Sequence, residues 1–286
     1  MAVKIVTDST SRLRPELCQK WDIRQVPLHI LDDGNDLRDG VDPIPSDIHD
    51  RARATTAGAS PADLTETYRQ ALADSDGDGV VAVHISAALS STYSAAAAAA
   101  REIGPSVRVV NSRAAAMGIG FVALAAAESA ARGDILDAVE AAARAAIPRG
   151  QAFIVVHRLD NLRRGGRIGT AASWLGTALS LKPLLRLDVD GRLVPAQRIR
   201  TISKAHAALV DQIVEAAGDR PVQVVVHHVA NPDAAEEIAA ALTDRLPQLT
   251  ALSVTEMGAV LAVHVGGGAV GACISVDDAS EGVVPN

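Results

Sequence analysis

The stretch that most constrains the fold is a junction. Val80 to Ile85 is apolar and largely β-branched, the composition of a strand buried on both faces, and Ala95 to Ala100 is an unbroken alanine tract that reads only as helix. Between them lies a hydroxyl-dense turn, Ser86-Ala87-Ala88-Leu89-Ser90-Ser91-Thr92-Tyr93-Ser94. A buried strand that runs through a short turn into a helix is half of a right-handed βαβ crossover, so the junction commits the chain to a parallel sheet. The turn also gathers the side-chain hydroxyls of Ser90, Ser91 and Thr92, free backbone N–H groups and the positive end of a helix dipole at one point, a cradle for an anion. One hydroxyl would suffice for an ordinary N-cap; this turn carries more than capping needs.

The same alternation runs through the first half of the chain. Strands are predicted at Val3 to Val6, Arg24 to Ile30 and Val107 to Val110, and helices at Arg14 to Trp21, Pro61 to Ala73, Ala114 to Ala131 and Asp134 to Ala146. The expected fold class is therefore α/β, with an N-terminal doubly wound, mostly parallel sheet domain over residues 1–150. Ligands of such sheets sit at the carboxyl ends of the strands, where Asp8-Ser9-Thr10-Ser11 and the Ser86 to Thr92 turn are expected to face one crevice. After Gly150 the texture changes. Asp190-Gly191 between Leu184–Leu187 and Leu193–Ile199 signals a hairpin, and strands at Phe153 to His157, Val222 to His227, Leu252 to Thr255 and Leu261 to His264 alternate with helices at 171–181, Ser203 to Ala217 and Asp233 to Leu246. This predicts a second, α+β domain over 151–286, ending in a polar tail, 277–286, expected to be disordered.

Composition removes several function classes. A net charge of −7 with a pI near 5.6 argues against a general nucleic-acid or anionic-membrane surface. Cys18 and Cys273 have no partners at metal-ligand spacing, which suits a reducing cytoplasm and gives no zinc site. No apolar run is long enough to span a bilayer, and the N-terminus has no signal-peptide core. Gly266 to Gly271 matches G-x-G-x-x-G, but too little chain follows for a dinucleotide-binding βαβ unit. Asp74 to Gly79 imitates a calcium loop, yet its twelfth position is Ile85 rather than a carboxylate. There is no Walker lysine and no G-x-S-x-G elbow. His227 and His228, adjacent on a strand, point to opposite faces and are read as structural.

Four segments survive: Asp8-Ser9-Thr10-Ser11, Thr55 to Pro61, Ser86 to Thr92, and Glu256 through Ala269. With them the chain resembles the DegV family, the fatty-acid-binding subunits of bacterial fatty acid kinase. Its V-T-D-S-T-S opening looks like the family's N-terminus, I-S-A-A-L-S-S-T-Y is similar to I-S-S-G-L-S-G-T-Y, L-D-N-L-R-R-G-G-R-I-G runs into L-K-P-L-L-R-L-D-V-D-G-R-L as in the family, and H-V-G-G-G-A resembles H-x-G-P-G-A. The resemblance implies a long-chain fatty acid held in a tunnel between the two domains. It further implies that Thr56 and Ser90 bond the carboxylate, that His264 joins the network, and that Arg167 and Arg200 meet the kinase catalytic subunit, which supplies the ATP chemistry. No cofactor is called for. The family's T-S-Q-P-S loop is here Thr56-Ala57-Gly58-Ala59-Ser60, its glycine before the threonine is Ser91, and its late proline is Gly267, so Ser86 or Ser91 could share Ser90's role. Thr56 could instead cap the helix at Pro61, His264 could be a core histidine on an apolar strand, and the arginines a solvated turn. The rival function is a serine-dependent hydrolase or acyltransferase using Ser90 with His264 as base, for which no orienting acid is identifiable.

Overall fold

A computed structural model describes residues 2–169 and 181–277. The first half runs Lys4–Asp8 (β1), Pro15–Trp21 (α1), Ile23–Val26 (β2), His29–Asp32 (β3), Asn35–Arg38 (β4), Thr55–Ala57 (β5), Pro61–Asp74 (α2), Val80–His84 (β6), Thr92–Ile103 (α3), Val107–Asn111 (β7), Met117–Ala131 (α4) and Leu136–Ala146 (α5). The second half runs Gly150–Val155 (β8), Asp160–Arg164 (α6), Leu184–Leu187 (β9), Leu193–Gln197 (β10), Ile202–Ala217 (α7), Val222–His228 (β11), Pro232–Arg245 (α8), Leu249–Glu256 (β12), Ala259–Val265 (α9) and Val270–Val276 (β13).

The N-terminal layer is a four-stranded parallel sheet of order β2-β1-β6-β7. Its strands alternate between two cores. Ile5, Val81 and Val83 pack with the residues of α4 and α5, whereas Val6, Val80 and Ala82 pack with Leu64 and Tyr68 of α2 and the alanines of α3. The sheet is thus wound on both faces, and the strand order reverses between β1 and β6. At that switch point the carboxylate of Asp8 is wholly buried. It accepts from the Ile85 N–H (2.9 Å) and from the Thr10 N–H (3.1 Å), and it pairs with His84 Nδ1 (3.0 Å), whose Nε2 meets the Tyr68 hydroxyl at 2.6 Å. The C-terminal region is a six-stranded sheet, β10-β9-β8-β13-β11-β12, antiparallel except for the β11–β12 pair. Val222, Val224 and Val226 pack on α7 and α8. The alternate residues, Val225 with Cys273 of β13, join the core of α4, so the second sheet turns its other face toward the first layer.

Two expectations need correction. The single strand expected from Arg24 to Ile30 is broken by Pro27: β2 ends at Val26, and β3 opens a separate three-stranded antiparallel sheet, β4-β3-β5. The strand expected at Leu261 to His264 is the helix α9, bounded by Gly258 (φ +83°) and Gly266 (φ +81°). The glycine-rich segment at 266–271 leads into β13, a central strand in which Gly271 lies so close to β8 that a Cβ would stand 2.6 Å from the Phe153 carbonyl oxygen. The hairpin at Asp190-Gly191 forms as expected between β9 and β10. The helix expected at 171–181 and the tail 277–286 lie, apart from Leu181 and Asp277, outside the described residues.

Candidate functional site

Between the N-terminal layer and the inner face of the six-stranded sheet lies a cavity in which the centre of a water-sized sphere has about 120 Å³ to move. That is roughly ten times the ~10–15 Å³ one water needs. Its walls are mainly aliphatic, among them Leu28, Ile85, Leu162, Leu193, Val260 and Leu261. An apolar space of this size is unfavourable to fill with water and favourable to fill with hydrocarbon.

Polar side chains gather at its half-buried end. Thr56 stands on β5 and His264 on α9, and their Oγ1 and Nε2 atoms lie 2.7 Å apart. Burial, aided by the Arg167 guanidinium, pushes the imidazole down to about 4, so the ring is neutral at physiological pH. Its Nδ1 has no hydrogen-bond partner; it is pressed against Gly165, where a Cβ would sit 2.3 Å away. Ser90 lines the same space just before α3. Its Oγ meets Thr92 Oγ1 at 2.9 Å and accepts from the Thr92 N–H at 3.2 Å, and Thr92 Oγ1 in turn accepts from the Ala59 N–H at 3.2 Å. The network ties the cradle turn to the Thr56 to Ser60 loop, and Gly58 is required in that loop because a Cβ would fall 2.9 Å from Thr92 Oγ1. Two hydroxyls and a neutral imidazole at the start of a helix, with the Arg167 guanidinium lining the same cavity, can accept a carboxylate.

Of the residues singled out from sequence, Thr56, Ser90 and His264 thus come together. Thr56 is not the cap of α2: Ser60 is, accepting from the Asp63 N–H at 3.0 Å. Ser86 does not line the cavity. It is wholly buried, and its hydroxyl donates to the Gly191 carbonyl of the β9–β10 hairpin at 2.9 Å, which makes it a clasp between the two layers. Ser91 is exposed and also outside the lining. The Ser9-Thr10-Ser11 cluster does not face the crevice either: Ser9 accepts from the Leu28 N–H, Ser11 from Gln25, and Thr10 bonds Asp8. Arg200 is exposed. Arg167, expected on an outer surface, lines the cavity instead, its Nε donating to the Leu89 carbonyl at 2.9 Å and its Nη1 to the Gly165 carbonyl. It therefore grips the cradle turn one residue before Ser90.

A serine nucleophile needs its base within hydrogen-bond reach. Here Nε2 of His264 is engaged by Thr56 and Ser90 by Thr92, so the pairing that a hydrolase would use is not formed. Sequence reasoning missed His227, which lines the deep part of the cavity. Strand alternation could have found it, since His227 follows Val225 on the face opposite Val222, Val224 and Val226.

The cavity between the two layers thus has an apolar body and a hydroxyl-lined end. Residues 2–277 match the family model described as uncharacterised protein, DegV family COG1307, and the chain belongs to that family. It is 60% identical over 276 residues to a DegV domain-containing protein of Mycobacterium tuberculosis, covering 96% of this chain and 98% of the relative. The same fold occurs in a fatty-acid-binding DegV family protein from Thermus thermophilus, with a TM-score of 0.90 and 34% identity over 97% of this chain and 100% of that one. It also occurs in the fatty acid binding protein DegV of Bacillus subtilis, with a TM-score of 0.85 and 27% identity over 97% and 100% of the two chains. Among the described residues no helix is long and apolar enough to cross a membrane.

Proposed function

We propose that this chain is a non-catalytic carrier that holds one long-chain fatty acid in the cavity, carboxylate outward at Thr56 and Ser90. It presents that carboxylate to a separate ATP-dependent kinase subunit, which forms the acyl phosphate. The observation that carries the reading is the pairing of an aliphatic cavity with the Thr56–His264 and Ser90–Thr92 network at its mouth. Each buried methylene contributes roughly 0.8 kcal/mol, so about a dozen supply on the order of 10 kcal/mol before ordering costs. The tail sets affinity and the mouth sets orientation. With the neutral histidine donating from Nε2 to Thr56 Oγ1, the threonine proton is left to bond the carboxylate, and Ser90 offers a second O–H. The bound carboxylate stays ionised beside the Arg167 guanidinium, the state in which it is a nucleophile toward a phosphoryl group.

In this reading the tail lies between two domains, 1–150 and 151–286. Arg167 shapes the mouth, and Arg200 contributes to the surface that meets the kinase subunit. The carrier works in the cytoplasm, where acid, kinase and ATP meet. The test is a pair of single substitutions, Thr56→Ala and Ser90→Ala, assayed for retention of fatty acid and for acyl-phosphate formation with a fatty acid kinase catalytic subunit. Both substitutions are expected to weaken retention about tenfold and to lower phosphate transfer. Unchanged retention and transfer in both would remove the site.

A further inference from the structure

Behind the mouth, one carboxamide ties three segments together. Asn161 stands on the first turn of α6, and its Nδ2 donates to two backbone carbonyls that lie far apart in the chain. One is that of His49, at 3.1 Å, in the short 3-10 turn Ile48–Asp50; the other is that of Val263, at 3.1 Å, in α9. Its Oδ1 accepts from Arg164 Nη2 at 3.0 Å, which fixes the end of the amide that faces the two carbonyls. Its backbone carbonyl accepts, at 2.9 Å, from the N–H of Gly165, the residue pressed against His264 Nδ1. On its other side Gly266, just past the end of α9, comes so near that an added Cβ would stand 3.2 Å from Asn161 Nδ2.

The Val263 bond matters because of where it falls. The last carbonyls of a helix have no partner within it, and α9 has only seven residues. The Ala262 carbonyl is taken by the Gly266 N–H at 2.8 Å, and the Val263 carbonyl by Asn161. Val263 is 7% exposed, so water is a poor substitute for that donor. The bond thus fixes the backbone one residue before His264. The ring depends on it: Nε2 meets Thr56 and Nδ1 has no partner, so the ring stands wherever α9 puts it. Two N–H donors on a side chain this short are what asparagine supplies; aspartate has the same shape and, when ionised, no donor.

We infer that Asn161 is the positioning residue of the mouth: its carboxamide sets where α9 stands and so where His264 meets Thr56. The inference rests on the fatty-acid reading and adds to it a residue that lies outside the cavity lining and acts through another side chain.

The test is a double-substitution cycle on the purified full-length chain, stripped of lipid: Asn161→Leu, His264→Gln and the two together. The Kd of octadecanoic acid is measured by displacement of a fluorescent acid. Asn161→Leu is expected to raise that Kd about tenfold when His264 is present, and by no more than about twofold in the His264→Gln background, because its effect passes through the ring. Equal factors in the two backgrounds would overturn the inference, since a residue that merely stabilises the fold weakens binding whichever side chain stands at 264. The second readout is the NMR signals of the His264 ring in the lipid-free protein, assigned by their loss in His264→Gln. They are expected to move in Asn161→Leu while those of His84, buried in the N-terminal layer, stay in place. Unmoved His264 signals in the folded variant would overturn the inference. This readout needs no ligand, so it decides the role of Asn161 even if octadecanoic acid fails to bind the wild type and the fatty-acid reading falls. Should Asn161→Leu not fold, Asn161→Ala, which removes the amide without adding bulk beside Gly266, carries both measurements.

Discussion

A methyl group placed behind His264 would test the mouth by geometry, without removing a hydroxyl or a charge. Gly165 ends α6 at φ −72° and ψ −10°, a conformation alanine adopts freely, so Gly165→Ala introduces no backbone strain. The added Cβ would stand 2.3 Å from His264 Nδ1 and 2.8 Å from its Cε1, against an ordinary contact of at least 3.4 Å. The ring must therefore move by about 1 Å. It cannot slide forward, because Nε2 on the opposite side is already 2.7 Å from Thr56 Oγ1. It has to swing out of the network, which leaves Thr56 without its fixed partner. Losing an oriented hydrogen bond at a buried site costs about 1–3 kcal/mol, so the Kd for a long-chain acid is expected to rise roughly five- to hundredfold, with a fall in melting temperature from the same broken contact. Gly166→Ala is the control. That residue has φ +71° and nothing within 4 Å of an added Cβ, so alanine there loses about 1 kcal/mol of stability to backbone strain but leaves affinity unchanged. Titration calorimetry with a saturated acid, beside a thermal melt, reads both. Wild-type affinity in a folded Gly165→Ala protein would refute the assignment of His264 to the head-group network.

Other perturbations probe the frame and its protonation. Gly191→Ala would put a Cβ at φ +75°, 2.3 Å from Ser86 Oγ and 2.7 Å from the Arg113 carbonyl oxygen, so it should unseat the β9–β10 hairpin and lower stability by about 2–4 kcal/mol in a denaturant titration. A change below about 0.5 kcal/mol would show that the hairpin clasp is not a structural contact. Tyr68→Phe leaves His84 Nε2 buried without its 2.6 Å partner and should cost about 1–3 kcal/mol in the same assay; no loss would mean that the Asp8–His84–Tyr68 chain does not stabilise the switch point. Because His264 and His227 are held near 4 and 3 when folded, the unfolded chain takes up protons from about pH 6.5 downward while the folded chain does not. Their contribution is complete above about pH 6.5 and is lost as the pH falls toward 4, so stability should drop between pH 7 and pH 4.5, and less steeply in His227→Gln. An identical slope in the variant would contradict a neutral buried ring.

How much of this was legible in the sequence varies with the physics of each segment. The β6–α3 junction was readable because a β-branched run and an alanine tract have opposite propensities, and the parallel sheet follows from it. Thr56, Ser90 and His264 were reachable through the family resemblance, but residues so far apart in the chain cannot be brought together by local pattern alone. The Leu261 to His264 error arose because a short apolar run reads equally as strand or buried helix; the glycines on either side, 258 and 266, were the available cue. Ser86 illustrates the opposite failure. A hydroxyl in the right turn looks like a ligand until its partner across the layers, the Gly191 carbonyl, is known. Arg167 was reachable only through the resemblance, as a partner contact; a Gly-Gly-Arg turn carries no sign of which way its guanidinium folds back, and the bond to Leu89 reveals it.

The central claim is that one fatty acid occupies the space behind Thr56 and Ser90. Native mass spectrometry of the gently purified protein, repeated after stripping and reloading with a long-chain acid, tests it most directly. A single bound acid per chain is expected in the first spectrum or on reloading, with occupancy reduced in Ser90→Ala and Thr56→Ala. A protein that carries no lipid and takes up none, at acid concentrations saturating for its fatty-acid-binding relatives, would contradict it.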